Sequence, residues 1–215
     1  MSELNTQQRD QIDHLVFTAH QLETGVEFVE NLLGVPATVG GKHPDRGTHN
    51  ALWRLGPLQY LEVIAPDPSS NLQAPPLWMG LKNLRSDGMM RWAAKFVNLP
   101  KVVDKARQAN IPMGQPKAGQ RLLSDGRLLK WQLTEPSETD GPDPLPFLID
   151  WGSSPHPAEN LADTSQLLDL QLFHPQAALL NQQFQTVGIS IKVQSASTPS
   201  IAAFIQCPKG KVWLR

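Results

Sequence analysis

Two polar residues stand where the surrounding sequence is apolar. His14 lies in Ile12-Asp13-His14-Leu15-Val16-Phe17-Thr18, and Glu62 in Tyr60-Leu61-Glu62-Val63-Ile64. A carboxylate inside an apolar strand is costly unless it has a partner or faces a wet cavity. A histidine there is either a hydrogen-bonded core residue or a site residue. Together, imidazole and carboxylate suit proton transfer or a divalent metal. His49 and Asn50 follow Gly47-Thr48 at the mouth of another strand. They offer contacts to a substrate carbonyl or carboxylate, or else they hold the turn.

Other chemistries find no support. The single cysteine, Cys207, excludes an internal disulfide and a cysteine-rich zinc site. No P-loop, dinucleotide glycine motif, Ser-His-Asp order or CxxC is present. Lys+Arg number 19 against 20 Asp+Glu, so the net charge is -1 and a nucleic-acid partner is not expected. No apolar run approaches the ~18 residues of a membrane span. The first ten residues are polar and lack an apolar signal core. The expectation is a soluble, cytoplasmic protein.

The elements that must position these residues follow from patterning. Residues 12–18 form a strand with His14, Val16 and Thr18 on one face and Leu15 and Phe17 on the other. Leu22, Val26, Val29 and Leu33 recur at helical spacing, and Gly34 sits where a helix C-cap belongs. Residues 35–39 make a short strand and 40–47 a glycine-rich loop. Two strands, 50–55 and 58–64, flank Gly56-Pro57. The order is βαβββ. After a proline-rich linker the order restarts: strand 90–97, helix 99–109, a weak strand from Ile111, strand 128–134 and strand 146–151. The chain therefore repeats itself once. Aligned strand by strand, the third strands without a gap, the modules set Trp53 on Trp131, Glu62 on Asp150 and His14 on Trp92, with Arg127 opposite His49. Trp53 and Trp131 read as core. A third set follows: strand 167–173, helix 174–187, and strands 189–193, 201–207 and 212–214. The expected fold is α+β. Paired βαβββ modules (10–68 and 88–152) form a cupped mixed sheet with helices outside, and a C-terminal βαβββ segment (165–215) follows.

Duplicated βαβββ units with His14 on a first strand and Glu62 on a fourth resemble the glyoxalase/bleomycin-resistance/extradiol-dioxygenase, or vicinal oxygen chelate, superfamily, and within it the glyoxalase-like domain branch. The motifs are Ile12-Asp13-His14-Leu15-Val16, Gly40-Gly41-Lys42-His43-Pro44, Gly47-Thr48-His49-Asn50-Ala51-Leu52, Tyr60-Leu61-Glu62-Val63-Ile64-Ala65-Pro66-Asp67-Pro68 and Phe147-Leu148-Ile149-Asp150-Trp151-Gly152. The resemblance implies a small oxygenated substrate in a sheet-lined cup. It implies a divalent metal (Fe, Mn, Ni or Zn) on His14 and Glu62, with Glu62 as catalytic carboxylate. The strand mouths and the internal repeat, rather than the resemblance, add His49, Asn50, Trp92, Arg127 and Asp150 as candidate substrate contacts. Trp92 in the first-strand place of the second module departs from the metal-binding pattern, because tryptophan cannot serve as such a ligand. This departure favours the alternative, a metal-free small-molecule binder on the same fold. Whether the cup closes within one chain or across a homodimer stays open at this stage.

Overall fold

The computed structural model describes residues 3–71, 78–122 and 128–215. A short helix α1 (Thr6–Gln11), which the sequence reading passed over, opens on a capping box between Asn5 and Gln8. The first module then runs β1 (Ile12–Thr18), α2 (Leu22–Leu33), β2 (Thr38–His43), β3 (Thr48–Gly56) and β4 (Gln59–Pro66). Gly34 ends α2 in the left-handed conformation, φ 73°. The expected loop at 40–47 is in part strand: β2 runs through Gly40 and Gly41 with an irregular register against β3 between Val39 and Lys42.

The second module comprises β5 (Gly88–Lys95), α3 (Leu99–Gln108), β6 (Pro116–Leu122), β7 (Leu128–Thr134) and β8 (Phe147–Asp150). The weak strand expected from Ile111 begins later, at Pro116. The two modules join through antiparallel β1 and β5 into one eight-stranded curled sheet, ordered β2-β3-β4-β1-β5-β8-β7-β6, all from a single chain. Central strands β1 and β4 are buried along nearly their whole length, because both sheet faces are covered. One face carries Leu15, Phe17, Trp53, Leu61, Val63, Trp92 and Leu148 in the main core. The concave face carries Val16, Ile64, Ala93, Leu133, Phe147 and Ile149.

The third unit is β9 (Gln166–His174), α4 (Ala177–Val187), β10 (Val193–Ser195), β11 (Ser200–Cys207) and β12 (Gly210–Leu214). Its element order repeats βαβββ, but its pairing differs. Here the first strand lies between the second and third, in the order β10-β9-β11-β12. In the modules the first strand instead pairs with the fourth. Leu170, Phe184 and Ile205 of this unit share the main core with Trp92 and Leu15. No helix among the described residues is long and apolar enough to cross a membrane.

Strand pairing fixes which positions of the two halves correspond. In the first, His14 lies opposite Tyr60, and Glu62 opposite Leu52. In the second, Ala93 lies opposite Phe147, and Ile149 opposite Leu133. Ala93 therefore takes the place of His14, Phe147 that of Tyr60, Ile149 that of Glu62 and Trp131 that of Asn50. The strand-by-strand sequence alignment slipped by one residue on the first and fourth strands and by three on the third. With a side-chain period of two, each of those slips exchanges one sheet face for the other.

Candidate functional site

The cup floor begins at an irregularity in β1. Ile12 pairs with Ala94 and His14 with Ala93, so two steps of β1 meet one of β5. Such a bulge re-aims side chains, and consecutive Asp13 and His14 meet instead of pointing apart. His14 Nδ1 lies 2.7 Å from Asp13 Oδ1. The other carboxylate oxygen, Oδ2, accepts from Trp151 Nε1 at 3.0 Å and lies 3.2 Å from His156 Nε2. Asp13 is fully buried, and His14 is 3% exposed. Burial alone would raise the Asp13 carboxyl, but hydrogen bonds with His14 and His156 outweigh it and hold the group well below the usual carboxylate range. An ionised carboxylate only accepts, so His14 Nδ1–H donates, and in the neutral ring Nε2 then carries the lone pair. Tyr60 stacks on the His14 ring at 4.5 Å, and Phe147 meets its edge at 5.3 Å. The ring is thus fixed in plane and in tilt.

Glu62 faces that lone pair. His14 Nε2 and Glu62 Oε2 are 3.9 Å apart, too far for a hydrogen bond. Glu62 Oε1 accepts from Asn50 Nδ2 at 2.5 Å. Asn50 is itself fixed, since its Oδ1 accepts the Gly41 N–H at 2.7 Å. Gly40 makes this possible, because a Cβ there would lie 2.8 Å from Asn50 Cγ.

The walls are mostly aromatic. His14, Asn50, Tyr60 and Glu62 share the cavity with Leu52, Leu133, Phe147, Ile149, Trp131 and Trp151. Gly119 lets Trp131 lie across β6, since a Cβ there would sit 2.5 Å from its indole. Trp78 and Met79, from the stretch between the modules, also line the cavity. Arg46 stands 4.7 Å over the Trp78 ring and pairs with Glu135, tying this stretch to both modules. The space left measures about 50 Å³. That accommodates a few waters or a small polar group. The Trp78 indole N–H is buried there without a partner among the described residues.

Of the residues expected to form the site, His14, Asn50 and Glu62 converge. Among the described residues, the others do not line this cavity. His49 follows the parity of Ala51 and Trp53 and belongs to the opposite face. Trp92 is core, packed on Phe184, with Nε1 donating to the Pro144 carbonyl at 2.7 Å. Asp150 turns away from the cup and accepts the backbone N–H groups of Asn98 and Gly152. Arg127 lies outside the described residues. Trp131, read as core, is a cup wall. Asp13, Tyr60, Trp151 and His156 were missed. Asp13 carried one signal, a charge inside an apolar strand, but strict alternation assigned it to the other face.

A divalent metal needs three or more protein donors in a closed or nearly closed site. His14 and Glu62 supply two that face each other, while His43, also in the lining, is held by Thr48 through Nδ1 and packs edge-on against Trp78. The Asn50 amide oxygen is engaged by Gly41, and the second-half positions are Ala93, Phe147, Ile149 and Trp131. Among the described residues no group of three or more His, Cys, Asp or Glu side chains is arranged to hold a metal ion. This donor set does not fit one.

Comparison with known proteins agrees with the topology. A family model described as "Glyoxalase-like domain" matches residues 12–188. A hypothetical protein from Staphylococcus aureus shares the fold with TM-score 0.64 at 14% identity, over 94% of this chain and 83% of that one. A Streptomyces coelicolor methylmalonyl-CoA epimerase, in complex with 2-nitronate-propionyl-CoA, aligns at TM-score 0.45 and 19% identity, over 68% and 98%. The Mycobacterium tuberculosis methylmalonyl-CoA epimerase gives 0.39 and 17%, over 65% and 86%. No match is found among curated proteins.

Proposed function

The chain belongs to the glyoxalase-like domain family, within the vicinal oxygen chelate superfamily, and from that premise we propose that its cup is a metal-free binding site for a small hydroxylated or ammonium-bearing molecule. The observation that carries this reading is the pair of acceptors facing each other across 3.9 Å, His14 Nε2 and Glu62 Oε2. With the ring neutral and the carboxyl ionised, neither has a proton to offer the other. A ligand hydroxyl or ammonium brings the missing donors and satisfies both. The aromatic walls favour a compact apolar or cationic body. The unpartnered Trp78 N–H adds one donor for a ligand oxygen.

A second reading, an enzyme that moves a proton at the same ligand, rests on the Asp13–His14 pair. A carboxylate on Nδ1 stabilises the imidazolium that forms when Nε2 accepts a proton. Apart from the imidazolium itself, the negative charge that proton abstraction leaves on a substrate oxygen meets no Lys or Arg among the described residues of the lining, which places binding ahead of turnover.

Trp78, Trp131 and Trp151 line the cavity, so intrinsic fluorescence reports occupancy. Titration with glycerol and with ethanolamine should quench or shift it, and acetate, which carries only acceptors, should not. Glu62→Gln should abolish the response with a stability loss of about 1 kcal/mol or less, because the glutamine amide keeps the Asn50 contact and donates to His14. Elemental analysis of protein purified without a histidine tag should find Fe, Mn, Ni and Zn below stoichiometry. A stoichiometric metal lost on His14→Ala overturns the metal-free reading.

A further inference from the structure

We propose that Asp13 is a positioning residue that locks His14 as the tautomer with its acceptor nitrogen aimed into the cup, and that the segment after β8 is what makes this lock one-directional. The proposal rests on the acceptor-floor reading above and deepens it, because it states why the floor accepts and does not donate.

Three donors converge on the Asp13 carboxylate: His14 Nδ1–H, Trp151 Nε1–H and His156 Nε2–H. Two of them cannot change sign. An indole nitrogen only donates. His156 Nδ1 accepts the backbone N–H of Ala158 at 3.1 Å, so the proton of its neutral ring must sit on Nε2. His14 alone has a free choice, since its Nε2 has no hydrogen-bond partner within reach among the described residues. A carboxylate satisfies all three donors at once. An amide does not: it has one acceptor oxygen and an NH2 group. In Asp13→Asn the oxygen must serve Trp151 and His156, whose polarity is fixed, so the NH2 turns to His14 Nδ1. That nitrogen becomes the acceptor, and the ring proton moves to Nε2. The cup floor then changes from two acceptors to a donor–acceptor pair that closes on itself.

The test reads the tautomer directly and needs no ligand. Full-length protein carrying 15N-labelled histidine is examined by long-range 1H–15N correlation at about pH 8, where an ordinary imidazole is neutral. The His14 signals are those lost in His14→Ala. In the wild type, Nδ1 should be the protonated nitrogen and Nε2 the unprotonated one. In Asp13→Asn the two should exchange. In Trp151→Phe, which removes one donor and leaves the carboxylate, the wild-type pattern should persist. A purely structural role for Asp13 would loosen the fold without exchanging the nitrogens. A wild-type His14 protonated on Nε2 overturns the proposal even if Asp13→Asn fails to fold. So does a folded Asp13→Asn that keeps its proton on Nδ1, or a Trp151→Phe that exchanges them. If the tautomer behaves as stated while glycerol and ethanolamine give no fluorescence response, the binding reading fails and the tautomer lock stands.

Discussion

Asp13 concentrates more of the site's physics than any other residue, and its effect on stability has a definite sign with pH. The carboxyl is held below its ordinary value near 3.9. As pH falls, the unfolded chain therefore takes up this proton before the folded one does. The stability contributed by Asp13 is fully present above about pH 4 and is lost as pH drops toward the folded value. Asp13→Asn should cost roughly 2 kcal/mol at neutral pH, the scale for hydrogen bonds to a charged acceptor. The gap between variant and wild type should narrow steadily below about pH 4. Urea midpoints at about pH 7 and pH 3 check this, and a constant gap counts against it. Glu62 and Asn50 matter in a different way. They occupy positions whose second-half equivalents are Ile149 and Trp131, so their polarity is not required by the fold.

At the scale of elements, two irregularities aim the site. The β1 bulge turns Asp13 onto the side of His14, and the uneven β2–β3 pairing lets Gly41 hold Asn50. Gly40 is the sensitive point of the second. A methyl there would lie 2.8 Å from Asn50 Cγ and 2.9 Å from its backbone oxygen, which leaves no room for the present rotamer. Gly40→Ala should cost about 1–3 kcal/mol, as overpacking does. It should also release Glu62 Oε1 from Asn50. The ethanolamine response should weaken more than it would from an equally destabilising substitution on the outer face of α2. Equal weakening in both would mean that Asn50 does not matter to the site.

At the scale of the whole molecule, the two halves share a strand frame but differ in content. The first presents His14, Asn50, Tyr60 and Glu62 to the cup, and the second presents Ala93, Trp131, Phe147 and Ile149. This asymmetry predicts a gain of function. Ala93→His with Ile149→Glu adds a second imidazole and a second carboxylate at the equivalent positions. Four donors satisfy a divalent ion where two do not. After dialysis against Zn(II), the double variant should retain one equivalent and the wild type none. Retention by the wild type would show that the cup completes a metal site in a way the described residues do not reveal.

His14 stands out only through the family resemblance, but the repeat, most strands and helices of both modules, and Glu62 as a site carboxylate are legible along the chain itself. Those follow from local rules: period-two alternation on 12–18 and 60–64, helical spacing over 22–33, and the cost of burying a carboxylate without a purpose. Only the tertiary structure decided the rest. The second-half register depends on cross-strand hydrogen bonds, and alternation alone cannot separate Ile149 from Asp150 as the cup residue. The bulge at Asp13 shows in the pairing of β1 with β5, a contact between distant parts of the chain. Trp151 and His156 reach Asp13 from 138 and 143 residues away along the chain, a distance over which no local pattern carries information. The third unit kept the element order that its sequence announced but paired its strands differently, because pairing is settled by which edge finds a partner in the assembled core.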